Sequence, residues 1–176
     1  MSKKLRGFER VSRYGQEVAI PKRATHASAG YDLAAAKTVT VPSIWHQVLQ
    51  SGYLTEMSDS KAAGSDNSPA ASTLVPTGVK AYMPEDEVLL LVNRSSNAMK
   101  NQLALPNGIG VIDADYYNNP KNEGEIFVQL INYGFSDYTI QKGDRIAQGI
   151  FVPYYTSEAE EAPLEKRTGG FGSSGI

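Results

Sequence analysis

Apolar and polar positions along this chain change over in short runs. Stretches of strand length, alternating or wholly apolar, fall at 17–20, 31–35, 38–41, 78–82, 88–93, 110–113, 125–132, 138–141 and 146–152. Between them stand turn residues: Pro21, Pro42, Pro76-Thr77-Gly78, Pro84, Pro106-Asn107-Gly108, Asn132-Tyr133-Gly134 and Lys142-Gly143-Asp144. Many short strands separated by Gly, Pro, Asn and Asp predict an all-β sandwich or barrel. Only 97–103 reads as a helix, about two turns long, with Ser95 or Ser96 as its N-cap. No internal repeat is visible.

Two segments break the rhythm. Residues 51–73 hold six Ser and four Ala in 23 residues. Such a composition buries too little apolar surface to order itself, so it reads as a long loop inserted between strands. The preceding Ile-Trp-His-Gln-Val-Leu at 44–49 is expected to pack on the body. From Thr156 the chain turns acidic, then basic at Lys166-Arg167, then Gly-rich. The expected organisation is a β body over 1–155, carrying the 51–73 insertion, and a flexible C-terminal arm over 156–176.

Length and charge narrow the picture. At 176 residues the chain suffices for one domain with a sizeable core. The formal net charge is -2, which gives no footprint for nucleic acid or an anionic membrane. The longest clean apolar run is five residues, 88–92, and the charged N-terminus has no signal-peptide core. A cytoplasmic protein is expected. With Cys 0 and His 2, thiol chemistry, thiolate metal sites and imidazole clusters are excluded. Carboxylates, guanidiniums, hydroxyls, amides and backbone groups remain.

Five stretches could carry chemistry with those groups. Gly30-Tyr31-Asp32-Leu33 sets a carboxylate at the start of a strand; the plainer reading is a turn Asp. Asn93-Arg94-Ser95-Ser96 precedes the short helix, and an Arg with hydroxyls and free N–H groups there suits an anion, although a cap and a surface Arg would look the same. Gly110-Val111-Ile112-Asp113-Ala114-Asp115-Tyr116 ends a strand in two carboxylates, which at i and i+2 of a strand would share a face and repel. They could equally be turn residues. Gly143-Asp144-Arg145-Ile146-Ala147-Gln148 opens the last strand, where Gln148 could hold a water or a phosphate oxygen. Finally, Arg167 and Gly169-Gly170-Phe171-Gly172-Ser173-Ser174-Gly175 could wrap a phosphate and stack on a base, or be a linker.

In this order the five stretches resemble the five motifs of the trimeric deoxyuridine triphosphatase family, from Ala29 to Ile176. The resemblance implies a β jelly-roll and a homotrimer with active sites between subunits. It implies Mg²⁺-dependent hydrolysis of dUTP to dUMP and pyrophosphate, which keeps uracil out of DNA and supplies dUMP for dTMP synthesis. Asp113 then matches the residue that orients and activates the attacking water. Tyr116 matches the ring under the deoxyribose, which excludes a 2′-hydroxyl. Asn107, Gly110, Val111 and the backbone around them match the hairpin that reads uracil. Asp32 matches the carboxylate that holds Mg²⁺ through water. Arg94, Ser95 and Ser96 match the phosphate-binding motif, and Gln148 the amide beside the α-phosphate and water. In the arm, Phe171 matches the ring that stacks on uracil, Arg167 the group on the γ-phosphate, and Ser173 and Ser174 further donors.

Three features depart from the usual pattern. The basic residue of the last motif more often stands at the position of Lys166 than of Arg167. Tyr117-Asn118-Asn119-Pro120-Lys121-Asn122 lengthens the third motif, resembling a variant of Gram-positive bacteria and their phages. The 51–73 insertion lies outside every motif; the plainer reading is a tolerated surface insertion, since long loops cost little extra closure entropy, and the alternative is a loop for a regulatory protein partner. The nearest rival enzyme is dCTP deaminase, which shares the fold. It needs a Glu acid/base on the strand where this chain carries Gln129, and an amide cannot shuttle protons.

Overall fold

The computed structural model describes residues 5–50 and 72–158. Its strands are β1 (Gly7–Arg10), β2 (Lys22–Arg23), β3 (Tyr31–Ala34), β4 (Val39–Val41), β5 (Thr73–Pro76), β6 (Val79–Tyr82), β7 (Glu87–Val92), β8 (Leu103–Ala104), β9 (Gly110–Asp113), β10 (Phe127–Asn132), β11 (Tyr138–Ile140) and β12 (Arg145–Pro153). Two short helices join them, α1 (Ile44–Gln50) and α2 (Ser95–Asn101). Single 3₁₀ turns cover Ser12–Tyr14 and Ala114–Tyr116.

Among the described residues the architecture is all-β, as the patterning predicts, with two helices instead of one. The strands form a five-stranded sheet in the order β2-β3-β12-β7-β9, a three-stranded sheet β5-β10-β8, and the pairs β1-β6 and β11-β4. These are four sheets and not one closed barrel. Alternation makes the core: along β10, Val128, Leu130 and Asn132 are buried while Phe127, Gln129 and Ile131 are only partly so. Leu33, Leu89, Leu91, Ile126, Ile140 and Ile146 join Val128 and Leu130 in one cluster. Each such side chain contributes about 1.5–3 kcal/mol through burial, which fixes the register of strands far apart in sequence.

Several elements differ from the pattern-based expectation. The run 17–20 is not a strand. The Val18 carbonyl accepts from Arg10 Nε at 2.8 Å instead of from a neighbouring strand. β1 carries one strong apolar residue, Phe8, and its signal is lost among charges, yet it pairs in register with β6. β5 begins at Thr73, so the inserted segment is shorter than 51–73 at its C-terminal end; 51–71 lie outside the described residues. α1 forms where a bare apolar segment is expected. It buries none of its residues fully, but the Trp45 indole N–H donates to the Tyr133 carbonyl at 3.1 Å and its ring stacks on Phe135. α2 starts two residues early. Its N-cap is Arg94 without a side-chain capping bond, so Ser95 and Ser96 are its first residues and not its caps. The helix ends at Gln102, in the left-handed region at φ 55°.

Candidate active site

The sheet order puts β12 between β3 and β7, and this brings three distant stretches together. Gln148 lies in register with Asp32 on one side and with Val92 on the other. Asp32 is the hub. Its Oδ1 accepts from Arg94 Nε at 3.2 Å and from Gln148 Nε2 at 3.3 Å, and its Oδ2 accepts from Arg145 Nη1 at 3.0 Å. Arg94 also donates from Nη1 to the Arg145 carbonyl at 3.2 Å and to Ser96 Oγ at 3.4 Å. Two guanidiniums on one carboxylate leave a surplus positive charge, which suits a phosphate chain.

The scaffold around this hub is tightly fitted. Asn97, buried at the first turn of α2, donates from Nδ2 to the Ile146 carbonyl at 2.7 Å and pins the helix to β12. Asn93 donates to the Leu103 carbonyl at 2.9 Å. Gly30 packs closely on Gln148: a Cβ there would stand 3.1 Å from its side chain, which would have to shift by a few tenths of an ångström. An open cleft of about 250 Å³ is lined by Arg94, Ser96, Asn101, Tyr138, Asp144 and Arg145. Ser95 faces solvent and Ser96 is partly covered.

The third motif forms a second half-site. Asn107 and Gly108 make a tight turn, with Gly108 at φ 70° and its N–H bonded to the Leu105 carbonyl at 3.0 Å. β9 follows as an edge strand of the five-stranded sheet, with Ile109 and Val111 exposed. One side of an edge strand's backbone lies outside the ladder, where it can meet the donor and acceptor edge of a base. Gly110 sits against Leu91, where a Cβ would lie 3.1 Å away. Asp113 ends β9 and caps the 3₁₀ turn that carries Asp115 and Tyr116. The two carboxylates therefore do not share a strand face, because the chain turns between them. Tyr116 is 4% exposed and packs into the core cluster.

The two half-sites stand apart within one copy. Asp113 pairs with Val88, whereas Gln148 pairs with Val92 of the same strand. Four residues along a strand span roughly 13 Å. Arg167, Phe171, Ser173 and Ser174, with Lys166, lie outside the described residues.

One residue of the hub carried no role in the sequence reading. Arg145 was visible only as part of Gly143-Asp144-Arg145-Ile146-Ala147-Gln148, and its link to Asp32 needs the β3–β12 register. The lengthened loop after Tyr116 stood out in the sequence but had no role there. There the Ser12 hydroxyl beside Glu123 holds its carboxyl below the usual range, and hydrogen bonding to Glu9 pushes the Tyr117 phenol up. Among the described residues no group of three His, Cys, Asp or Glu could cage a metal ion. The Asp32 carboxylate, with about four acceptor positions and three of them used, keeps room for the water of a hydrated cation. The donor set thus fits Mg²⁺ held from outside its hydration shell, and does not fit a protein cage.

An all-β body with a guanidinium cluster at one end of a central strand, and a carboxylate beside an edge hairpin, has the make-up of a nucleotide hydrolase. Comparison with known proteins is specific. Residues 67–175 match the family model described as dUTPase. The chain is 43% identical over 174 residues to the deoxyuridine 5′-triphosphate nucleotidohydrolase of Lactococcus lactis subsp. lactis, covering 98% of this chain and 99% of that one. It is 32% identical over 168 residues to the nucleotidohydrolase of Citrobacter koseri, covering 93% of this chain and 91% of that one. Among solved structures, the dUTPase from Streptococcus mutans superposes with a TM-score of 0.70 at 40% identity, over 86% of this chain and 98% of that one. The dUTPase from phage phi11 of S. aureus shares the fold, with a TM-score of 0.64 at 20% identity over 90% of this chain and 96% of that one. The chain belongs to the dUTPase family.

Proposed function

We propose that this chain hydrolyses dUTP to dUMP and pyrophosphate, by attack of water on the α-phosphate, at sites assembled between the copies of a homotrimer. The observation that carries the reading is the Asp32–Arg94–Gln148 hub, which gathers a guanidinium and an amide around one carboxylate. The hub lies roughly 13 Å along β7 from Asp113, and in this reading a second copy supplies the other half. A closed homo-oligomer does this by symmetry.

In this reading Asn107, Gly110 and Val111 present the hairpin backbone to uracil. Uracil offers acceptor, donor, acceptor; cytosine reverses two of these and leaves buried groups unpaired. Tyr116 lies under the sugar. Asp113 takes the proton of the attacking water, a task a carboxylate can perform without imidazole. Gln148 holds that water against the α-phosphate. Arg94, Ser95 and Ser96 meet the developing charge on the leaving pyrophosphate with fixed donors. Asp32 holds hydrated Mg²⁺ through water, and the cation, when bound, neutralises charge on the triphosphate. From the arm, Phe171 covers the base, Arg167 meets the γ-phosphate, and Ser173 and Ser174 donate to the phosphates. In this reading the protein works in the cytoplasm.

The dCTP deaminase reading is disfavoured at its catalytic position. Gln129 on β10 donates from Nε2 to Ser72 Oγ at 2.5 Å, a structural bond to the strand beside it. A nucleotide panel with Mg²⁺ tests the function. Pyrophosphate should be released from dUTP at least about 10²-fold faster than from dCTP, dTTP or UTP. Ammonia from dCTP, or equal turnover of all four, would contradict it.

A further inference from the structure

The lengthened loop after Tyr116 is built around that residue's hydroxyl. Tyr116 Oη donates to the Glu125 carbonyl at 3.0 Å and accepts from Asn122 Nδ2 at 2.8 Å. Asn122 is itself held. Asn119 Nδ2 donates to Asn122 Oδ1 at 2.7 Å and to the Tyr116 carbonyl at 3.2 Å. Asn119 Oδ1 accepts from the backbone N–H groups of Lys121 at 3.0 Å and Asn122 at 3.2 Å. The Gly124 N–H reaches Asn122 Oδ1 at 3.0 Å. Asn119 is 5% exposed, so its bonds are sheltered from water.

The backbone is shaped to make this possible. Asn118 and Glu123 take left-handed conformations at φ 57° and 59°, which return the chain toward Tyr116. The Asn118 N–H closes the loop on the Glu123 carbonyl at 3.1 Å, and the Glu123 N–H bonds the Asn119 carbonyl at 2.9 Å. At Gly124, φ 78°, a Cβ would stand 2.4 Å from the Tyr116 carbonyl, so only Gly lets the loop come this close. The outer side is braced by Ser12, whose backbone N–H donates to Glu123 at 3.2 Å, and by Lys80, which donates to Asn118. One asparagine, Asn122, thus bonds the inward-facing phenol, and a second, Asn119, holds the first in place.

We propose that Asn122, oriented by Asn119, is a positioning residue for sugar selection: it fixes the height of the Tyr116 ring, and so the space left at the 2′ carbon of the nucleotide. The inference rests on the reading of Tyr116 as the floor of the sugar site. With both hydroxyl bonds intact the ring cannot tip to admit a 2′-hydroxyl. Without the Asn122 bond it can, and a ribonucleotide gains more than the deoxyribonucleotide does.

The test compares kcat/KM for dUTP and UTP in Asn122→Ala, Tyr116→Phe, the double variant and Tyr116→Leu, with a thermal unfolding curve for each. Asn122→Ala should lower the dUTP-to-UTP ratio about fivefold, the scale of one lost hydrogen bond, through a rise for UTP. Its kcat for dUTP should stay within about twofold of the parent. Tyr116→Phe loses both hydroxyl bonds and should give at least the same drop while leaving the loop asparagines in place, so the test survives an unstable Asn122→Ala. The double variant should be no worse than Tyr116→Phe alone, because that variant has already lost the bond Asn122 makes. An unchanged ratio in Asn122→Ala, or in Tyr116→Phe should the first not fold, would overturn the inference. If Tyr116→Leu still collapses the ratio in that case, the sugar-floor reading stands alone. An unchanged ratio in Tyr116→Leu would overturn both.

Discussion

Asp113→Asn is expected to slow dUTP turnover by roughly 10²–10⁴, the range for loss of a general base. Asn keeps the size and the hydrogen-bonding reach of the side chain at the end of β9, where Asp113 caps the 3₁₀ turn. It cannot accept a proton from water. The loss should therefore appear in kcat, with KM for dUTP changed little. Full turnover in this variant would remove Asp113 from the reaction.

Arg94→Ala is expected to reduce kcat/KM by roughly 10²–10³, the range for removing one fixed donor from developing charge. The substitution deletes a cation and also frees Asp32 Oδ1 from its partner at 3.2 Å. Arg145 and Gln148 remain on the carboxylate, so the hub should keep its shape. Arg94→Lys should restore only part of the activity. A compact ammonium cannot bond Asp32, Ser96 and the Arg145 carbonyl from one planar fork. A fully active Arg94→Ala enzyme would mean that the phosphates bind elsewhere.

The parts of the fold that were legible in the sequence are those with local signals. β9 over 110–113 has apolar residues between a turn and two carboxylates, and the structure has the same bounds. β3, β7, β10 and β12 agree to within two residues at each end because their buried positions are apolar. β1 and β2 were hidden by charge. Lys22 and Arg23 form a strand only because β3 offers its edge. α1 buries none of its seven residues fully, so its apolar pattern gave little signal; it is held by the Ser43 hydroxyl, which accepts from the Trp45 N–H at 3.1 Å, and by the Trp45 indole on the Tyr133 carbonyl. Ser95 and Ser96 read as caps from composition, but the N-cap is Arg94 and the helix starts at Ser95, two residues before the expected 97.

The site was legible as a set of residue types and not as a geometry. Asp32, Arg94 and Gln148 are more than a hundred residues apart at the extremes, and only the β3–β12–β7 register places them on one carboxylate. Arg145 had no signal of its own, since its role is defined by what lies across the strand. The two-Asp pattern was misleading for a similar reason. The period-two rule applies while the strand lasts, and β9 ends at Asp113. The lack of Cys and the two His fit the proposed chemistry, in which water activation by a carboxylate and charge stabilisation by guanidiniums need neither.

The central claim is that one copy holds the phosphate half of the site and another the water-activating half. Subunit mixing tests it directly. Asp113→Asn and Arg94→Ala proteins, each nearly inactive alone, are unfolded, combined in equal amounts and refolded together. Random assembly of trimers with sites shared between copies leaves about a quarter of the sites with both native residues, so about a quarter of the parent activity should return. Activity no higher than the average of the two separate variants would place Asp113 and Arg94 in the same copy's site and contradict the account.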